Sequence, residues 1–290
     1  MESTALAKRC ETMPYCAALG VQVDAIEADR VRLRLPFKDE NSNPGRALHG
    51  GVLASMIDIA GTSAAWTGID DRPGLETSTL DLSVNYLAAA IGEDIVATAQ
   101  VLRRGKEIVY SEVDVRNDAG KRIAVGLLTY RAFDAAANPA AADRQRSATA
   151  AGVAAGEKIR NADLFVKAPF ISRLGVTVEA AHGGESLLMM PARTDLADAA
   201  GALHEGALAA LIDTTGALAS WSLTGLDMRF KASTVGIHVN YHAPAIEDVA
   251  AHARTLRRNN EIFLNQVAVT GRTSGDVVAA GTVTYRIIVD

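Results

Sequence analysis

The sequence has almost no cysteine, no basic surplus and no long apolar run, and each shortage removes a class of protein. Only Cys10 and Cys16 occur in 290 residues. They make neither a disulfide framework nor a CxxC pair, and read as free thiols in a reducing cytoplasm. Acidic residues outnumber basic ones, 34 to 29, for a net charge of −5, which argues against a nucleic-acid partner. No run of about 18 apolar residues occurs, so no membrane span is expected. The stretch Met1–Arg9 lacks the apolar core of a secretory signal, so a cytoplasmic location is the expectation. Aromatic residues make up 5% of the chain and leave the size of any pocket open. What is there instead is a 49% hydrophobic composition, ample for two packed cores.

Those two cores are written as a repeat. Residues 47–66 read ALHGGVLASMIDIAGTSAAW and residues 202–221 read ALHEGALAALIDTTGALASW; 11 of the 20 positions are identical at an offset of 155. The offset also pairs Pro14 with Pro169, Pro36 with Pro191, Asn85-Tyr86 with Asn240-Tyr241, and Thr129-Tyr130-Arg131 with Thr284-Tyr285-Arg286. It slips by one residue around Arg103. A period this long marks duplicated domains rather than a solenoid. The division is 1–134 for the first domain, 135–157 for an Ala-rich linker and 158–290 for the second.

Within one copy, residues 3–18 read as a leading helix. Arg30 to Leu35 alternates Val31, Leu33 and Leu35 with three arginines, the pattern of a half-buried strand. Residues 36–48 are loop-like. Gly50 to Thr67 is apolar all round, as a helix buried on most sides requires. Strands follow at 79–86, 94–103, 107–117 and 121–133, with a hairpin turn at Asn117 to Gly120. The expected class is α+β: two antiparallel sheets, each wrapped round a central helix. Each sheet alone would leave an open edge and a bare helix face, so the copies are expected to pack as an intrachain pseudo-dimer.

Chemistry concentrates on the buried helix. His49-Gly50-Gly51 stands at its start, where free backbone N–H groups and a partial positive charge could hold an oxyanion. Alone, this tripeptide reads equally well as a glycine-rich helix entry with His49 as its cap. Asp58 is the sole charged residue between His49 and Asp70, and Asp213 the sole one between Glu205 and Asp227. A lone carboxylate on an apolar helix is costly to bury, and its recurrence at one register points to a general base or nucleophile. At a rise of about 1.5 Å and a step of about 100° per residue, His49 and Asp58 lie roughly 13 Å apart on opposite sides of the helix. Only two helices packed antiparallel can bring the start of one to the Asp of the other. Two composite sites are therefore expected.

The run Asn43-Pro-Gly-Arg-Ala-Leu-His49-Gly50-Gly51, Asp58, the Ser-Val-Asn-Tyr strand, the Arg-Arg-Gly-Lys hairpin and the closing Gly-x-x-Thr-Tyr-Arg together resemble the hotdog-fold, phenylacetate-pathway (PaaI-like) thioesterases. The resemblance implies hydrolysis of acyl-CoA with no metal and no cofactor apart from the CoA of the substrate. It implies that the Gly50 N–H polarises the thioester carbonyl, that Asn43 supports it, and that the Asp of the other half, held by Thr234 or Thr79, activates water or attacks. One site would combine Asn43, His49 and Gly50 with Asp213 and Thr234. The other would combine Asp198, His204 and Glu205 with Asp58 and Thr79. Glu205 and Asp198 put negative charge where an oxyanion needs positive, so the second site is expected to be weak or inactive.

Arg103, Arg104 and Lys106 are candidates for the CoA phosphates. His238 and His242 share a strand face, but no third ligand accompanies them, and no metal is expected. Trp66 and Trp221 read as packing residues. Two other functions fit less well: a double-hotdog enoyl-CoA hydratase, disfavoured by the six-position step from Asn43 to His49, and a non-catalytic acyl-CoA-binding sensor. The intrachain pair is expected to associate into a homo-oligomer.

Overall fold

A computed structural model describes residues 3–134, 156–227 and 229–288. The linker expected at 135–157 lies almost wholly outside these residues.

The first half begins with two short helices, α1 (Ser3–Thr12) and α2 (Pro14–Leu19). A single leading helix was the expectation; Pro14 divides it, because proline is suited to a first helical turn and not to an interior. Strands β1 (Gln22–Glu27) and β2 (Arg30–Leu35) then form a hairpin. Strand β1 escapes sequence reading because its side chains are exposed or half-buried throughout and show no alternation. The central helix α3 (Gly50–Trp66) is followed by β3 (Leu75–Tyr86), β4 (Ile95–Arg104), β5 (Ile108–Asn117) and β6 (Arg122–Asp134). In β2, Val31, Leu33 and Leu35 are fully buried, as the alternation requires.

The second half repeats this order. Helices α4 (Ala162–Phe165) and α5 (Pro169–Leu174) lead, then β7 (Thr177–His182), β8 (Glu185–Met190), the central helix α6 (Glu205–Thr224), β9 (Lys231–Tyr241), β10 (Val249–Asn259), β11 (Ile262–Gly271) and β12 (Val277–Ile288). The leading helix of this half is divided as well, into the single turn of α4 and, from Pro169, α5. The one-residue slip of the repeat is already in place where β4 and β10 begin: Ile95 pairs with Leu35, and Val249 with Met190.

The twelve strands make one sheet in the order β1-β2-β4-β5-β6-β3-β9-β12-β11-β10-β8-β7. Antiparallel pairing of β3 with β9, from Asp81–Asn240 to Asn85–Gly236, joins the halves. Across this seam the Ser83 hydroxyl and His238 Nδ1 are 2.6 Å apart, so His238 has a partner other than a metal. These are two hotdog domains, each an antiparallel sheet on a central helix.

The central helices cross face to face. A Cβ on Gly51 would stand 2.4 Å from the Ala210 Cβ and 2.8 Å from its Cα, and one on Gly206 would stand 2.9 Å from the Ser55 Cα. One register number rises as the other falls, so α3 and α6 run antiparallel. Glycine is required at this crossing for lack of volume. Gly51→Val should lower unfolding free energy by about 1–3 kcal/mol, the usual cost of overpacking a tight core. Urea denaturation checks this, and a loss under about 0.5 kcal/mol would mean that the helices separate freely.

Candidate functional site

Antiparallel crossing carries the middle of each central helix to the start of the other. At the first junction, His49 caps α3: its Nδ1 accepts the Gly51 N–H at 2.9 Å. That bond requires a lone pair on Nδ1, and burial holds the imidazole down at about 4, so the ring is neutral at pH 7. His49 is therefore the cap and not a base. With Gly51 engaged, the next amide is that of Gly50, which has no acceptor among the described residues. The Tyr86 hydroxyl donates to the Gly50 carbonyl at 3.1 Å.

Asp213, from the middle of α6, faces this amide. Its Oδ1 accepts the Thr234 hydroxyl at 2.6 Å. Its Oδ2 lies 4.0 Å from His49 Nδ1 and 2.7 Å from where a Cβ on Gly50 would be. One oxygen is thus anchored and the other points at Gly50. Burial pushes the carboxyl up to about 6, with the Thr234 hydroxyl opposing the shift. A carboxylate so prepared can take a proton from water near neutral pH.

The second junction repeats the first with distances that differ by at most 0.3 Å. His204 Nδ1 accepts the Gly206 N–H at 3.0 Å, Thr79 donates to Asp58 Oδ1 at 2.9 Å, Tyr241 donates to the Glu205 carbonyl at 3.0 Å, and Asp58 Oδ2 lies 3.7 Å from His204 Nδ1. The difference is Glu205. Its own backbone N–H and that of Thr79 pull its carboxyl down, against burial. Burial raises it to about 7. Burial also raises Asp58 well above the usual carboxylate range, and the Glu205 charge adds to this.

The second site is nevertheless open. A cavity of about 660 Å³ is lined by Asp58, Glu205 and Asp198 together with Leu6, Met13, Ile59 and Trp66. Replacing glycine by Glu205 has changed its charge without closing it. Trp66 lines this cavity besides packing, with its Nε1–H on the Tyr130 hydroxyl at 2.9 Å; Trp221 makes the equivalent bond to Tyr285.

Asp58, His204 and Glu205 approach within 4.8 Å of one another, a spacing at which a metal can be held. The His204 nitrogen facing Asp58 already accepts an amide proton, so its lone pair is not free for a metal.

Asn43 is not brought to Gly50 by any hydrogen bond of its side chain among the described residues. It is half-buried in a turn closed by its backbone N–H to the Ala47 carbonyl. In the equivalent turn the Asp198 carboxylate accepts the Ala200 and Ala202 amides. Arg104 must be withdrawn from the phosphate-binding candidates. Its guanidinium pairs with Asp29 and donates to the Ala64 and Ala65 carbonyls at the end of α3, an arrangement that favours cations. Arg103 and Lys106 are exposed. Tyr86 and Tyr241 were missed as site residues; their recurrence in the Asn-Tyr pairs was the available signal.

The sequence pattern of the thioesterase superfamily matches residues 45–124 and again 200–278. Human acyl-coenzyme A thioesterase 13 is 36% identical over 99 residues, 33% of this chain and 69% of that protein. The medium/long-chain acyl-CoA thioesterase YigI of Escherichia coli K12 is 31% identical over 133 residues, 41% and 84% respectively. Among solved structures, acyl-CoA thioesterase II TesB2 from Mycobacterium marinum superposes with a TM-score of 0.62 at 15% identity, covering 93% of this chain and 96% of that one. A hot dog fold protein from Alicyclobacillus acidocaldarius reaches 0.64 at 16% identity, covering 99% and 98%. Among the described residues no helix is long and apolar enough to cross a membrane. With the superfamily pattern present in both halves, this chain belongs to the thioesterase superfamily.

Proposed function

We propose that the protein hydrolyses acyl-CoA thioesters at the junction of Gly50 and Asp213. The observation that carries this is the free Asp213 oxygen, 2.7 Å from the Cβ position of Gly50, beside an amide with no acceptor among the described residues. The Gly50 N–H, strengthened by the start of α3, holds the carbonyl oxygen as it gains charge. Asp213, anchored by Thr234, takes a proton from water. The water oxygen bonds to the carbonyl carbon, the C–S bond breaks, and the thiolate leaves with that proton. Water rather than the carboxylate is assigned as nucleophile. The names of the acyl-CoA thioesterase relatives support the substrate class.

Thiol release over a panel of acyl-CoAs tests the reading. Free CoA at catalytic rates is expected; loss of enoyl absorbance without thiol would point to hydration instead. Because the working form of Asp213 is its anion, kcat should rise with pH through about 6 and level off above it. A rate flat from pH 5 to pH 8 would remove Asp213 as the base.

Arg103 and Lys106, exposed at the β4–β5 turn, are assigned to the CoA phosphates. Replacing both by Ala should raise KM about 5-fold with kcat unchanged, on the scale of exposed charge pairs at about 1 kcal/mol. An unchanged KM at low salt would leave phosphate binding elsewhere.

A further inference from the structure

The cavity at the second junction has two thiols in its wall that hydrolysis leaves without a role. We propose that Cys10 and Cys16 form a peroxide-reactive dithiol: a hydroperoxide entering this cavity oxidises Cys10, and Cys16 resolves the product to an intrachain disulfide.

Cys10 is on α1 and Cys16 on α2, and both are free thiols. At the offset of 155 their equivalents are Phe165 and Ile171, so the packing of the duplicated domain does not call for thiols here. The two are 4% and 0% exposed, yet both line the cavity of about 660 Å³. That space admits a small peroxide readily, since a water molecule takes only about 30 Å³ of liquid volume. The thiols are hydrogen-bonded to each other, and the Ser63 hydroxyl donates to Cys10 Sγ at 3.8 Å. Pro14 divides α1 from α2 between them, so the sulfurs can close to the roughly 2 Å of an S–S bond without unwinding either helix.

These hydrogen bonds divide the roles. Accepting from Cys16 and from Ser63 holds Cys10 below the ordinary thiol value, against burial and the Glu11 charge. The same bond, together with burial and the Cys10 and Asp58 charges, holds Cys16 well above it. The thiolate is the nucleophile, so Cys10 attacks first and Cys16 keeps its proton until the second step.

Both steps balance with the hydroperoxide as the only co-reactant. Cys10 Sγ attacks the terminal peroxide oxygen. The O–O bond breaks, and the other oxygen leaves with the Cys10 proton, as an alcohol or, from hydrogen peroxide, as water. Cys10 is then a sulfenic acid, having given the peroxide two electrons. Cys16 Sγ attacks the Cys10 sulfur, the S–O bond breaks, and the hydroxyl leaves as water with the Cys16 proton.

The test treats the reduced full chain with hydrogen peroxide and follows it by mass spectrometry with peptide mapping. Wild type should lose two hydrogens, with Cys10 and Cys16 in one cross-linked fragment, and dithiothreitol should restore both thiols. Cys16→Ser should stop at one added oxygen on Cys10, captured by dimedone. Cys10→Ser should slow oxidation of Cys16 at least about tenfold, because a buried thiol in a raised state is inert. The wild-type result needs no variant, and circular dichroism checks the fold of the other two. The proposal is overturned if wild type keeps both thiols at peroxide concentrations that consume free cysteine, or if the disulfide joins two chains. It is equally overturned if oxygen goes only to Met13, whose sulfur is 3.9 Å from Cys16 Sγ, or if Cys10→Ser leaves Cys16 reacting at the wild-type rate. None of these readouts depends on thioester hydrolysis.

Discussion

Asp213→Asn should lower kcat at pH 8 by about 10²–10⁴-fold, the range that general-base catalysis contributes, while making the protein more stable. The two effects have one cause. Asn keeps an oxygen for the Thr234 hydroxyl, so the anchor at 2.6 Å survives, but it cannot accept a proton from water. Burial raises the folded-state carboxyl to about 6 against an unfolded value of about 4. A group raised in this way contributes fully to stability below its unfolded value, and that contribution is lost as pH rises through the folded value. Asn removes the loss. Stabilisation of up to about 3 kcal/mol is therefore expected at pH 8 and almost none at pH 4. Stopped-clock thiol assays and urea unfolding at both pH values decide it. A variant that is inactive and also less stable at pH 8 would show that Asp213 holds the fold rather than the reaction.

Gly50→Ala should cost about 10²-fold or more in kcat/KM, with the helix still formed. The added methyl would stand 2.7 Å from Asp213 Oδ2 and 3.6 Å from the Tyr86 ring. The first spacing is impossible without movement, and the carboxylate cannot swing aside because Thr234 holds its other oxygen. The methyl thus displaces the base or fills the place of the attacking water, and displacements on the scale of 1 Å are worth about 10²-fold. Gly50 has an ordinary helical backbone, absent from the positive-φ residues, so no conformational strain accompanies the change. Circular dichroism should be unaltered. A variant with wild-type kcat/KM would mean that the reacting carbon lies elsewhere.

These two residues also show how far sequence reasoning reaches. Asp58 and Asp213 stood out because a lone carboxylate on an apolar helix has no packing reason to recur at one register. The antiparallel crossing followed from helical pitch alone, since no single helix can turn both ends of the chemistry to one point. The β2 alternation and the Asn117 hairpin were legible for the same local reason: their side chains repeat with the period of a strand. Strand β1 was not legible, because neither of its faces is buried. Arg104 was misread because the carbonyls it caps, Ala64 and Ala65, lie 40 and 39 residues away in sequence, and a basic hairpin looks the same whether it faces solvent or a helix end.

The sequence by itself determined the duplication, the class of fold, and which carboxylates and which helix starts must meet, because periodicity and register are properties of the chain. Only the tertiary structure decided that the second junction opens on a cavity and which oxygen of each Asp is anchored. Those depend on distances of a few ångströms between residues remote in sequence. Both Asp58 and Asp213 repeat the pattern perfectly, yet only the folded chain reveals that Glu205 stands beside Asp58 and His204 at the second junction while Gly50 brings no charge to the first.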